Sequence, residues 1–277
     1  MCAEYTPEQL KRKADQLRLH VIEMTTAAGS GHPGGSLSAA DLIAALYFKV
    51  MRHDPKNPQW DERDRFVLSK GHVAPVLYAA LAEAGYFPVK DLITLRKMGS
   101  KLQGHPVRGK VPGVEMSTGS LGQGLSMAAG IALAGKIDSK DYYTYCLTGD
   151  GELQSGQNWE AAMFAVQYDL THLIAFVDRN RLQIEGDTEK VMGLDSLTEK
   201  FLAFGWNVYE IDGHNVDHIL GAVKVAKANK EGPSIIVMNT VKGKGVSFME
   251  NNAGFHGRAC KPDEYEKAVK ELKEALQ

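Results

Sequence analysis

Cysteine is scarce and scattered, with only Cys2, Cys146 and Cys260 in the chain. Their odd number and wide spacing exclude a zinc knuckle or a disulfide framework and fit free thiols in a reducing compartment. Cys146 lies within a strand pattern and reads as a small core residue. Long apolar runs are missing too: none reaches the length of a membrane span, and the N-terminus lacks the apolar stretch of a signal peptide. In its place, Thr6-Pro7-Glu8-Gln9 reads as an N-cap, a proline at the first helical position and a capping-box glutamine. A large excess of charge of either sign is also absent. A formal net charge of -2 argues against a phosphate-backbone binder, so any basic site must be local. We therefore expect a cytoplasmic protein with neither membrane nor nucleic acid among its partners.

What is present is an alternation of helical and strand patterns. Leu10, Leu17, Val21 and Met24 recur at helical spacing over 7–28, and a second helix is expected over 38–51 after a glycine-rich break. Apolar strand candidates lie at 64–68, 143–148, 172–178, 206–211 and 233–239. Helical stretches are expected near 73–84, 88–97, 122–136, 157–169, 195–204 and 215–229, with a charged amphipathic helix from 262. Strands without polar alternation, separated by helices, imply an α/β, doubly wound and mainly parallel sheet with helices on both faces. Ligands then bind beyond the carboxyl ends of the strands. No linker, repeat or low-complexity tract interrupts the pattern, so residues 1–277 are expected to form a single domain. The long loops at 29–36, 52–63, 99–119, 179–194 and 240–261 hold most of the histidines and lysines of interest.

Gly149-Asp150-Gly151 directly follows the apolar run Tyr143–Thr148, and a second apolar run ends in Val177-Asp178-Arg179-Asn180. Gly-Asp-Gly alone reads as a turn. Placed between two adjacent strand ends, with an asparagine after the second, it becomes a grip for a hard cation and a diphosphate. Glycine admits a phosphate oxygen, the carboxylate takes the metal, and the amide carbonyl adds a neutral oxygen. Four loop segments also set histidine beside glycine, at Gly31-His32, Gly71-His72, Gly104-His105 and His256-Gly257. There a ligand can reach both backbone and an imidazole able to exchange protons near neutral pH.

Ser30-Gly31-His32-Pro33-Gly34, Lys70-Gly71-His72, Gly104-His105-Pro106, Thr118-Gly119-Ser120-Leu121-Gly122-Gln123-Gly124, Gly149-Asp150-Gly151 with Asn180, and Phe255-His256-Gly257 resemble, in order, the motifs of the transketolase family. The match runs over almost the whole chain. The resemblance implies thiamine diphosphate and Mg2+ as cofactors, with Ca2+ or Mn2+ able to substitute, in the thiamine diphosphate-binding fold (PP domain). Asp150, Asn180 and the main-chain carbonyl of Leu182 match the metal ligands. Gly149, Gly151, His72 and His256 match diphosphate contacts, and Lys242 or Lys244 is an extra diphosphate or loop-closing contact. Gly119, Ser120, Leu121 and Gly122 resemble the loop against the cofactor rings. His32, His105 and His256 match the catalytic histidines that face the sugar and serve proton transfers.

Two departures qualify the match. Full-length family members are more than twice as long and carry a pyrimidine-binding domain and the sugar-phosphate arginines beyond the position of Gln277. The chain is thus expected to be the N-terminal subunit of a split transketolase. It would act on sugar phosphates in an α2β2 heterotetramer with a C-terminal transketolase subunit as its partner. Ser155 stands where many relatives have a glutamate of a network linking paired sites, while Glu160, counted among the cofactor residues, matches the other glutamate. The alternatives are the α subunit of a 2-oxo acid dehydrogenase E1, which shares the Gly-Asp-Gly to Asn signature, and a non-catalytic relative that kept the fold. The histidine set argues against both.

Overall fold

The computed structural model describes residues 5–277, so Cys2 lies outside the described residues. The strands are β1 (Arg65–Leu68), β2 (Thr144–Gly149), β3 (Leu173–Arg179), the two-residue pair β4 (Leu182–Gln183) and β5 (Gly186–Asp187), β6 (Asn207–Asp212) and β7 (Ser234–Asn239). The main sheet has five strands in the order β1-β2-β3-β7-β6, every pairing parallel. The α-helices are α1 (Pro7–Ala28), α2 (Pro33–Ser38), α3 (Ala40–Ala45), α4 (Ala74–Glu83), α5 (Gly124–Ile137), α6 (Gln157–Gln167), α7 (Thr188–Met192), α8 (Leu197–Phe204), α9 (Val216–Ala228) and α10 (Pro262–Ala275).

Alternate strand residues point to opposite faces, and each face is covered. Tyr145, Leu147, Ile174, Phe176, Ile236 and Met238 join the apolar cluster of α1, α3, α4, α9 and α10. Cys146, Ala175, Val177, Ile235 and Val237 join that of α5, α6 and α8. The expected parallel sheet, covered on both faces, is what the chain forms. The edge strand β6 differs from the expected unbroken burial: it has one neighbour and stays half-exposed. The capping box at the start of α1 forms as the sequence implies, with Gln9 N donating to Thr6 Oγ1 at 3.3 Å and Thr6 N to Gln9 Oε1 at 2.9 Å.

Several expected boundaries are corrected. The glycine-rich break ends early, because Pro33 begins α2 and Gly34 and Gly35 are helical. Their lack of a side chain serves close packing: a Cβ on Gly34 would lie 2.9 Å from the Phe255 carbonyl oxygen, and one on Gly35 3.0 Å from Val73. The helix expected over 38–51 is split at Ala39 into α2 and α3 and ends in a π-helical turn over Leu46–Val50. The stretch 88–97 forms only a 3₁₀ segment, Val89–Thr94. The loop 179–194 contains the β4–β5 pair and α7.

Candidate active site

Parallel pairing brings the carboxyl ends of β1, β2, β3 and β7 to one edge. Asp150 directly follows β2, Asn180 directly follows β3, and Lys70 and Lys242 lie two and three residues beyond β1 and β7. Together with His72, Leu121, Gly149, Gly151, Leu182 and His256 they line a cavity of about 250 Å³. The sequence-expected diphosphate and metal residues therefore converge in space.

At the base lies Asp178, fully buried. Its carboxylate accepts hydrogen bonds from Lys70 Nζ, Thr240 Oγ1, Ser38 Oγ and Asn180 Nδ2. Burial pushes its pKa up, but the Lys70 ammonium and these hydrogen bonds hold it below the ordinary carboxylate value. Asn180 is thereby oriented: Nδ2 donates to Asp178 at 3.0 Å, and Oδ1, which accepts from Leu182 N at 3.2 Å, is aimed the other way. Asp150 is also buried, its oxygens accepting from Gly151 N at 2.8 Å and Arg181 N at 2.6 Å. Burial, and after it the neighbouring Asp178 charge, raise its pKa, so the carboxylate gains from a cation beside it.

Arg179 lies 3.6 Å from Asp150, and Lys242 supplies a stand-in cation at the neighbouring carbonyl. Its ammonium donates to the Leu182 carbonyl at 2.8 Å and to His256 Nδ1 at 2.9 Å. The carbonyl matched to a metal ligand thus already holds a positive group. Burial, then repulsion from Lys70, lowers the Lys242 pKa to about 8. No cluster of three or more His, Cys, Asp or Glu side chains suited to a metal occurs among the described residues. A carboxylate, an amide oxygen and a carbonyl fit Mg2+, which is commonly held by one or two carboxylates while phosphates and water complete the octahedron. Lys244, the alternative lysine, instead faces Glu250 at 3.6 Å.

The four loop histidines gather at the cavity mouth. His32 lies 5.1 Å from His72, 6.3 Å from His105 and 5.5 Å from His256 between ring centroids, and His72 stacks on His256 at 5.2 Å. Burial lowers the pKa of each, to about 4 for His32 and about 3 for His256, with Arg96 next in effect at His32 and His105, Lys70 at His72 and Lys242 at His256. All four rings are neutral near pH 7. Because Lys242 donates to Nδ1 of His256, that ring carries its proton on Nε2. His32 Nδ1 is buried with no hydrogen-bond partner.

The 119–122 loop closes the cavity through Leu121, which is 42% exposed. Gly119 and Gly122 have φ of 144° and 89°, open to glycine with little penalty. A Cβ on Gly119 would lie 2.8 Å from the His105 ring, so glycine is what lets the loop approach that histidine. Ser120 is exposed, and Glu160 is exposed on α6, apart from the residues lining the cavity. Ser155 packs against Gly122, where an added Cβ would meet its own Cβ at 2.8 Å.

Sequence reasoning missed three participants. Asp178 had a signal, a carboxylate at the end of an apolar strand. Glu152 had none beyond its place after Gly151, yet it accepts from Ser69, Gly122 and Gly149. Arg96 is left-handed at φ 59° and donates to Ser30 Oγ at 2.9 Å beside the histidines.

Residues 9–276 match the family model of the transketolase thiamine diphosphate binding domain. The chain is 49% identical over 263 residues to the 6-deoxy-6-sulfo-D-fructose transketolase subunit SqwG of Clostridium sp. (strain MSTE9), an alignment covering 95% of this chain and 96% of that protein. It is 43% identical over 270 residues to an apulose-4-phosphate transketolase subunit of Phocaeicola vulgatus, covering 98% and 96%. The crystal structure of transketolase from Campylobacter jejuni matches with a TM-score of 0.89 at 35% identity, over 95% of this chain and 42% of that one. The chain belongs to the transketolase family, as a transferase subunit of a split transketolase carrying the thiamine diphosphate binding domain.

Proposed function

We propose that residues 1–277 act as one diphosphate-binding domain that holds Mg2+ and thiamine diphosphate at the strand ends. With a C-terminal-type partner subunit, in an α2β2 assembly, it transfers a two-carbon glycolaldehyde unit from a ketose phosphate to an aldose phosphate. The observation that carries this reading is the meeting of Asp150, Asn180, the Leu182 carbonyl and Lys242 in one cavity under neutral histidines. When bound, thiamine diphosphate supplies the nucleophilic carbon and the electron sink for cleaving a carbon–carbon bond.

The chain's own residues do the rest. Asp150, Asn180 and the Leu182 carbonyl would hold the metal, and Lys242, which donates to that carbonyl, would supply positive charge to the diphosphate. His256 offers its Nε2 proton to the ligand, and His72 lies against the same ring. His32 and His105, uncharged at neutral pH, accept and return the sugar hydroxyl proton. The similar subunits from Clostridium and Phocaeicola are named for a sulfonated and a phosphorylated sugar. Those names support a ketose with an anionic end group as the donor. The free, buried thiols of Cys146 and Cys260 support a reducing compartment, the cytoplasm, as the place of action. No helix among the described residues is long and apolar enough to cross a membrane.

Calorimetry tests the reading directly. The wild-type subunit, titrated with thiamine diphosphate in Mg2+, should give a binding isotherm that Asp150→Ala weakens at least about 100-fold, since a charge-assisted contact and the metal go together. Ketol transfer from xylulose 5-phosphate should appear only once the partner is added. Identical titrations for wild type and variant would sink the assignment.

A further inference from the structure

Unlike Asp178, Glu152 has no cationic partner within ion-pairing distance among the described residues, although it is buried. All three of its hydrogen bonds come from uncharged donors in separate segments: Ser69 Oγ at 2.5 Å, Gly122 N at 2.9 Å and Gly149 N at 3.0 Å. Ser69 follows β1, Gly122 belongs to the Leu121 loop, and Gly149 ends β2 just before Asp150. We propose that Glu152 is a positioning residue, one carboxylate that pins Leu121 at a set height above Asp150 and Gly151 and so fixes where the cofactor rings lie relative to the diphosphate grip. The inference rests on the reading that this cavity holds thiamine diphosphate.

Around Glu152 the loop packs closely, and past Gly122 the reciprocal Gln123–Gln157 side-chain hydrogen bonds tie its far end to α6. A Cβ on Gly124 would lie 2.3 Å from Ser69 Oγ, and one on Gly71 2.6 Å from Thr118. These glycines bring backbone close against Ser69 and Thr118, and the Glu152 carboxylate is the group that ties the Leu121 loop to the ends of both β1 and β2. The chemistry also calls for a carboxylate. Every partner is a donor, with one oxygen taking Ser69 and Gly122 and the other taking Gly149. A glutamine would turn its NH2 toward one backbone N–H in either flip, leaving a buried donor without an acceptor.

The test compares wild type with Glu152→Gln, and with Glu152→Asp, which keeps the charge but shortens the reach. In the cofactor-free subunit, hydrogen exchange at the Gly122 and Gly149 amides should speed up about tenfold or more in Glu152→Gln, with α1 and α10 unchanged and Glu152→Asp intermediate. In the assembled complex, affinity for thiamine diphosphate should fall by about the same factor, while affinity for Mg2+ with inorganic pyrophosphate, which lacks the rings, should fall less than twofold. Unchanged exchange in the variants overturns the proposal. So does faster exchange with full cofactor affinity, or an equal loss for pyrophosphate. If Glu152→Gln does not fold, the same readings on Glu152→Asp decide. Failure of the functional reading looks different: the wild-type complex itself would not bind thiamine diphosphate, whatever the exchange rates.

Discussion

His20 and the loop histidines occupy opposite electrostatic settings in one chain. His20, on α1, lies between Glu83 at 2.9 Å and Glu23 at 3.3 Å, and Glu83 also takes Lys13 at 2.6 Å. Burial pulls the His20 pKa down, but the two carboxylates outweigh it and raise the value to about 9. His32, His72, His105 and His256 face one another and the cations Lys70, Lys242 and Arg96, and all are lowered. On the α1–α4 flank, charge is settled internally. At the strand ends, Lys242 and neutral rings face a cavity that Asp150 also lines, so charge of both signs is open there to a metal-bound anion.

The sharpest way to break this contrast is to remove the counter-charge at the base of the cavity. Asp178→Ala leaves the buried Lys70 ammonium unpaired and three other donors without their acceptor. A loss of about 3–5 kcal/mol in urea unfolding is expected. A smaller effect comes from Lys242→Met, which removes the stand-in cation. Affinity of the complex for thiamine diphosphate should fall about tenfold in calorimetry, while the melting temperature holds or rises because a desolvated ammonium is gone.

The smallest effect lies on the flank. The folded pKa of His20, about 9, exceeds its ordinary 6.5. Its contribution is therefore fully present below pH 6.5 and is lost as pH rises through 9. Stability of the wild type should decline across that window, and His20→Gln should flatten the decline, a difference on the order of 1 kcal/mol. A parallel pH profile for the two proteins would remove His20 from the comparison.

Asp150 and Asn180 were legible because each directly follows an apolar strand in an α/β pattern, where ligands bind at the strand ends. β2 and β3 are consecutive in the sheet and paired, so the residues directly after them end up side by side, whereas β7 inserts between β3 and β6 with no such signal. His72 and His256 follow β1 and β7 and leave the same edge, whereas His32, between α1 and α2, and His105, in the segment before α5, reach it only through tertiary packing. The choice between Lys242 and Lys244 was not, because two residues along an irregular loop change direction in a way spacing does not record. Gly34 and Gly35 read as a break, yet they are helical, and their lack of side chains answers Phe255 and Val73, which crowd them from remote segments. Glu160 shares a motif with the site residues, but the helix turns its side chain to the exposed surface.

Glu152 and Asp178 show where such reading stops. Ser69 lies 83 residues from Glu152, and Ser38 lies 140 from Asp178. No local pattern announces such partners. The sequence by itself determined the layered α/β sheet, the strand-end location of the site and the residue types gathered there, because periodicity and strand order act locally. Only the tertiary structure decided which lysine enters, which carboxylates hold the loops and which histidines stay neutral, because burial and through-space charge depend on segments far apart in the chain.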